Sequence, residues 1–339
     1  MGEPSMDSGH DERGGPVPNR EPIDAPAEYR IQHSLGSGQT SNVYLATHPT
    51  YGEVALKLPR SDARDVIALR RMFENEVVLT LRVRHPHVVR GLDGRSTGLH
   101  AYLALEMCHG GTLDQYLLER GRLPLEEAVR LVEDVAEGLA HLHAQRILHR
   151  DVKPANVFLT RDGRAKLGDL GTGAMLGERN QERVGTAFYM APEIFQGHAA
   201  SVRSDVYSLG ILAFEVLTGS RPFQGETFDA LMDQHLSGLL IDPRARREDL
   251  PDAVAHVVRR ALARDAARRP ESVRAFLSAL RDAAPALARG AEASPDRDSR
   301  FGRTSRTGGV KDGQGDDVHG ESPDREGEEP RKPWWKRGF

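Results

Sequence analysis

The chain of 339 residues contains one cysteine, Cys108. No intrachain disulfide can form, which excludes the small secreted scaffolds that rely on such staples and leaves stability to a packed core. Long apolar runs are missing too. The most apolar stretch, Leu209-Gly210-Ile211-Leu212-Ala213-Phe214-Glu215-Val216-Leu217, is far short of the roughly 20 residues that span a bilayer, and it carries an acid. Met1-Gly2-Glu3-Pro4 lacks the basic and apolar regions of a secretory signal, and Met6 stands where a myristoylation signal needs Ser or Thr. No transmembrane span is expected, and the expected compartment is the cytoplasm. Large excess charge is also absent. The formal net charge is −4, with seven acids against two bases in residues 1–28 and eleven of each in residues 286–339, so nothing suggests nucleic-acid binding. Lysine is scarce: only residues 57, 153, 166, 311, 332 and 336 are lysine among 46 basic residues.

What is present falls into three compositions. Residues 1–28 are rich in Gly, Pro and acids with almost no large apolar side chains, and residues 286–339 are similarly polar. Such segments cannot offset the entropy of ordering a backbone, so both are expected to be a disordered leader and tail. Between them, residues 29–285 are expected to form one domain in two parts. The first, about residues 29–107, reads as β-rich. Leu35-Gly36-Ser37-Gly38-Gln39-Thr40-Ser41-Asn42-Val43-Tyr44-Leu45 is strand, glycine turn, strand; Val54-Ala55-Leu56-Lys57-Leu58 is a third strand, and Val88-Val89-Arg90-Gly91-Leu92 and Ala101-Tyr102-Leu103-Ala104-Leu105 supply two more. Ile67, Met72, Phe73, Val77 and Leu81 carry a helical period across 64–84. The second part, about residues 108–285, reads as mostly helical, with helices over 112–120, 125–145, 205–218, 227–236, 252–263 and 272–284.

Two stretches concentrate chemistry. His149-Arg150-Asp151-Val152-Lys153-Pro154-Ala155-Asn156, followed by Gly168-Asp169-Leu170-Gly171 with Asp169 thirteen positions after Asn156, sets two acids, a lysine and an amide on successive loops, a set suited to metal-assisted phosphoryl transfer. On the helix over 64–84, Glu74 has Arg70 and Arg71 beside it and reads as a surface pair. Glu76 instead shares the face of Met72 and Phe73, so it should point inward. His141 and His143 lie two apart on a helix, hence on different faces, and are not read as a metal site.

The two loops resemble the catalytic loop and the metal-binding D-F-G loop of protein kinases, with Leu170 for Phe. Gly36-x-Gly38-x-x-Ser41-x-Val43 is similar to the family's glycine-rich loop, with Ser41 for the third glycine, and Val54-Ala55-Leu56-Lys57 to its lysine strand. Val184-Gly185-Thr186-Ala187-Phe188-Tyr189-Met190-Ala191-Pro192-Glu193 resembles the end of an activation segment. The resemblance covers about residues 29–284 and looks like the bacterial eukaryotic-like serine/threonine branch. It implies an α+β, bilobal protein-kinase-like fold, with an N-lobe over about 29–107 and a C-lobe over about 108–285. It also implies ATP- and Mg2+-dependent phosphorylation of serine or threonine on protein substrates in cytoplasmic signalling. A catalytically inactive scaffold and a small-molecule phosphotransferase are the alternatives.

The roles carried over are specific. Leu35, Gly36, Gly38, Ser41, Val43 and Ala55 would surround ATP, Lys57 would hold its α and β phosphates, and Glu76 would pair with Lys57. Leu105 would guard the back of the adenine site, with Glu106-Met107-Cys108 as the connector and Cys108 either at the cleft rim or simply a buried thiol. Asp151 would orient the substrate hydroxyl and take its proton beside Lys153, while Asn156 and Asp169 would hold Mg2+. His149 reads as an orienting residue, Glu193 as the partner of Arg269, and Asp205 as the anchor of the catalytic-loop backbone. Lysine appears at both positions where the family uses an ammonium; random use of this chain's basic residues would give each about one time in eight.

Two features depart from simple expectation. Arg150 marks kinases whose activation loop is ordered by a phosphate, yet residues 173–185 contain no Ser, Thr or Tyr. Only Thr172 and Thr186 flank the gap, so Glu178 or Glu182 is expected to substitute in part for the phosphate, or activation depends on a partner. The terminal Pro330-Arg331-Lys332-Pro333-Trp334-Trp335-Lys336-Arg337-Gly338-Phe339 holds both tryptophans, and it is expected to dock on a protein partner or on the domain itself.

Overall fold

The computed structural model describes residues 25–38, 40–61, 66–170 and 184–285. Five antiparallel strands form one sheet: β1 (Arg30–Ser37), β2 (Ser41–His48), β3 (Gly52–Pro59), β4 (Gly91–Arg95) and β5 (Tyr102–Glu106), in the order β1-β2-β3-β5-β4. The register pairs Lys57 with both Val43 and Leu103, and Ala55 with Leu105. Because side chains alternate along a strand, these residues share one face. The other face carries Val54, Leu56 and Leu58, which pack with Tyr29, Ala46 and Ala104.

Helix α1 (Ile67–Arg82) lies on the Lys57 face, where Phe73 and Val77 meet Leu103. It buries Glu76 and leaves Glu74 in an i,i+4 pair with Arg70 at 3.5 Å, as the two periodicities predict. One expectation is corrected. Val88-Val89 does not begin a strand of the sheet: β4 starts at Gly91, and Val88 instead bridges Leu167 in parallel, with Val89 N donating to the Leu167 carbonyl at 2.9 Å. Leu167 N donates back to the His87 carbonyl at 3.0 Å, so this apolar run joins the two lobes. Pairing partners, rather than the local pattern, decided its role.

The C-lobe contains α2 (Leu113–Arg120), α3 (Leu125–Ala144), the short hairpin β6 (Val157–Leu159) and β7 (Ala165–Leu167), α4 (Val184–Ala187), α5 (Pro192–Phe195), α6 (Val202–Thr218), α7 (Phe228–Ser237), α8 (Pro243–Arg246), α9 (Asp252–Ala261) and α10 (Val273–Ala283). Helix α6 starts three residues before the expected 205, because Ser201 caps it, accepting from Ser204 N. It ends at Gly219, whose φ of 77° is the left-handed stop that glycine adopts freely. Most of α6 is buried, since α3, α9 and α10 pack around it in one continuous apolar core. Gly138 in α3 is a point of close approach: any Cβ there would collide with the His87 carbonyl, so only glycine lets the stretch after α1 lie against the C-lobe.

Candidate active site

The cleft between the lobes encloses about 1270 Å³. Leu35, Gly36, Gly38, Ser41, Val43, Ala55, Lys57, Glu76, Glu106, Cys108, Asp151, Lys153, Asn156 and Asp169 all line it, so every candidate site residue comes to one cavity. Leu105 lies in its wall as expected. Val89, Phe158, Tyr189 and Arg221 also line it. The motifs gave no notice of the first two, whose only signal was their place beside apolar strand residues.

The N-lobe side centres on Lys57. Its Nζ lies 2.5 Å from Glu76 Oε1 and 2.5 Å from Asp169 Oδ1. Burial works against the ammonium, but Asp169 and then Glu76 outweigh it, and the lysine is held charged above its ordinary range. Burial would raise the Asp169 carboxyl as well, yet the Lys57 charge overrides it and holds Asp169 below the usual carboxylate range. For Glu76 burial prevails over Lys57 and pushes the carboxyl up to about 7, making it the more easily protonated of the two acids. With both acids ionised, one ammonium faces two carboxylates.

The glycine loop makes one backbone hydrogen bond of its own. Gly38 N donates to Ser41 O at 2.8 Å, so this N–H is already engaged, and Ser41 itself is buried. Gly36 borders open space, since a Cβ placed there meets nothing within 4 Å.

On the C-lobe side, Asp151 Oδ2 accepts from Asn156 Nδ2 at 2.9 Å and lies 2.8 Å from Lys153 Nζ. Asp151 Oδ1 is buried and has no hydrogen-bond partner among the described residues. Lys153 Nζ also donates to Thr186 Oγ1 at 3.0 Å, which ties the catalytic loop to the end of the activation segment. Asn156 Nδ2 also donates to the Asp151 carbonyl at 2.8 Å, so what the amide offers the cavity is its carbonyl oxygen.

The loop backbone is held in an unusual conformation. Arg150 and Asp169 have φ of 67° and 58°, a region that costs a non-glycine residue on the order of 1 kcal/mol or more. Asp205, nearly fully buried on α6, offsets this by accepting from His149 N and Arg150 N, each at 2.9 Å. His149 orients the second loop, with its Nε2 2.8 Å from the Gly168 carbonyl. Leu170 is buried in the C-lobe core, as an apolar plug under that loop requires.

The surrounding acids and bases are mostly structural. Arg269 is fully buried and bidentate to Glu193 at 2.8 Å for each contact, as expected. His143 pairs with Asp205 at 2.7 Å, while His141 bonds Gln145 at 2.8 Å and stacks on His85. Cys108 lines the cleft yet is buried, and burial followed by the nearby Glu106 charge pushes its thiol up to about 12. Gly171, Thr172, Glu178, Glu182 and the segment with Trp334-Trp335 lie outside the described residues.

A family model described as a protein kinase domain matches residues 29–279. The chain belongs to the protein kinase family. Among its relatives, it is similar to the serine/threonine-protein kinase PrkC of Bacillus subtilis, 32% identical over 250 residues, covering 72% of this chain and 38% of that one. It is likewise similar to the serine/threonine-protein kinase pkn2 of Myxococcus xanthus, 35% identical over 272 residues, covering 76% of this chain and 33% of that one. A third relative is the serine/threonine-protein kinase PknL of Mycobacterium tuberculosis, 34% identical over 267 residues, with 74% and 65% covered. The match covers well under half the length of the first two relatives.

Proposed function

We propose that this kinase transfers the terminal phosphoryl group of ATP to serine or threonine hydroxyls of protein substrates, with Mg2+ as the required cation. One observation carries the reading: Asp151 keeps a buried carboxylate oxygen, unpartnered among the described residues, in the same cleft where Lys57 is clamped between Glu76 and Asp169. An inactive scaffold would have no use for an acid held in that state.

The residues fit the implied cation. With both acids ionised, two carboxylates around one ammonium leave an excess negative charge, and the donors offered by Asp169 and Asn156 are oxygens, which suit magnesium. Among the described residues no group of three His, Cys, Asp or Glu forms a self-sufficient metal cage, in keeping with an ion that binds largely through nucleotide phosphates. When bound, Mg2+ neutralises charge on the transferred group and its neighbours.

The chain's own groups supply the rest. Lys57 places a fixed positive charge where phosphates enter, and Glu76 keeps its side chain extended into the cleft. Asp151 Oδ1 accepts the hydroxyl hydrogen of the incoming side chain, orients its oxygen, and takes the proton as the new bond forms. Lys153, between Asp151 and Thr186, holds the acid in place and adds positive charge beside the transferring group. The lysine two positions after the aspartate, together with Thr186, supports serine and threonine over tyrosine.

The test is transfer of radiolabelled phosphate to a generic basic protein, followed by identification of the phosphorylated amino acid. Asp151→Asn should lower turnover by at least about 10²-fold to 10³-fold with thermal unfolding unchanged. Activity that persists in excess EDTA, or transfer to tyrosine, would overturn the corresponding part of the reading. We place the domain in the cytoplasm, where ATP is supplied; the lone cysteine supports this, and no helix among the described residues is long and apolar enough to cross a membrane. The basic aromatic end, 330–339, remains our proposed docking segment for a protein partner.

A further inference from the structure

Three of the chain's six lysines fall within the described residues. Lys57 and Lys153 serve the reaction, and Lys166 has no part in it. It stands in the middle of β7, between Ala165 and Leu167, both fully buried in the C-lobe core. Strand alternation therefore turns Lys166 the other way, toward the connector between the lobes. There its Nζ donates to Glu106 Oε1 at 2.7 Å. The same oxygen accepts from Arg90 N at 2.8 Å, and Glu106 N donates to the Arg90 carbonyl at 2.9 Å. A single carboxylate oxygen thus joins the end of β5, the residue before β4, and a C-lobe strand.

The arrangement also shows how Glu106, expected in the connector, uses its side chain. Its side chain is engaged by Lys166 and Arg90, so what it offers a nucleotide is its backbone. We propose that Lys166 is a positioning residue for nucleotide binding: by holding Glu106 it fixes the connector that shapes the adenine end of the cleft. This rests on the nucleotide-binding reading above. Side-chain exposures of 16% for Lys166 and 27% for Glu106 make the pair more than a solvated surface contact. The choice of lysine in a chain that writes all but six of its 46 basic residues as arginine matches a compact point charge on one carboxylate oxygen.

The experiment is titration of a fluorescent ATP analogue without turnover, beside steady-state kinetics and thermal unfolding of the full chain. Lys166→Met should weaken analogue binding and raise the KM for ATP by about fivefold, with kcat changed less than about twofold. Glu106→Gln keeps an acceptor for Arg90 but loses the charge; it should give a similar loss, and the double variant should lose little beyond either single change. If Lys166→Met fails to fold, Glu106→Gln carries the comparison. Wild-type affinity in the folded variants, or losses that simply add, would overturn the proposal. Failure of the unaltered chain to bind the analogue would instead overturn the nucleotide reading, and this inference with it.

Discussion

Helices α1 and α6 each bring one acid that the site depends on, and they are anchored very differently. Of the sixteen residues of α1 only Phe73, Glu76, Val77 and Thr80 are buried, and Ile67 and Val78 are exposed to solvent. Helix α6 is buried without interruption from Ser204 to Phe214. Asp205 therefore acts from the rigid centre of the C-lobe, and the loop it anchors can hold Arg150 at a positive φ. Glu76 rides on a helix with a narrow apolar stripe, and its pairing with Lys57 does much of the locating. The comparison sets the Asp151 side of the site on a deeply buried frame and the Lys57 side on a helix held by fewer buried residues.

Breaking the rigid side gives the largest expected effect. Asp205→Ala leaves His149 N, Arg150 N and His143 without their acceptor, and should destabilise the fold by about 3–5 kcal/mol in denaturant unfolding while abolishing turnover. The Lys57 side should behave differently. Glu76→Gln should lower turnover by about 10²-fold yet shift stability by no more than about 1 kcal/mol, because Lys57 keeps Asp169 and the buried charge that costs most is gone. Equal stability losses for the two variants would remove the contrast.

A third expectation tests the C-lobe by pH. His235 is fully buried with Nδ1 2.7 Å from the Tyr207 hydroxyl, and burial holds the imidazole down at about 4. Its ordinary value is 6.5, so the unfolded chain takes up the proton first as pH falls. The stability linked to this group is fully present above pH 6.5 and is lost as pH falls toward 4, by at most about 3 kcal/mol. Urea midpoints measured across that window should decline in the wild type and flatten in His235→Gln. The smallest effect concerns Cys108. With its thiol raised to about 12, alkylation at neutral pH should be slow, and saturating ATP should slow it further; equal rates with and without nucleotide would take Cys108 off the rim.

The choice of Glu76 over Glu74 was legible because a helix has a period, and Met72 and Phe73 revealed which face was buried. Anchoring by Asp205 and the pairing of Glu193 with Arg269 were legible only through the family's motifs, since contacts of 55 and 76 positions in separation leave no local trace. Val88-Val89 misled for the complementary reason: β-branched residues fit a strand, but alternation does not name the partner, which proved to be Leu167 of the other lobe. Lys166 left a compositional signal in its rarity as a lysine, while its partner could be found only in three dimensions.

By itself the sequence determined the order of the motifs, the division into a β-rich and a helical part, and which side chains carry charge at the site, because periodicity and turn chemistry are local properties of the chain. The tertiary structure alone decided that Lys57 lies between Glu76 and Asp169, the latter 112 positions away, and that Asp151 retains a buried oxygen without a partner among the described residues. It also decided that Gly38 has already given up its N–H and that Glu106 turns its carboxylate to Lys166. Those outcomes depend on how two lobes meet, and burial and long-range hydrogen bonding exist only once they have.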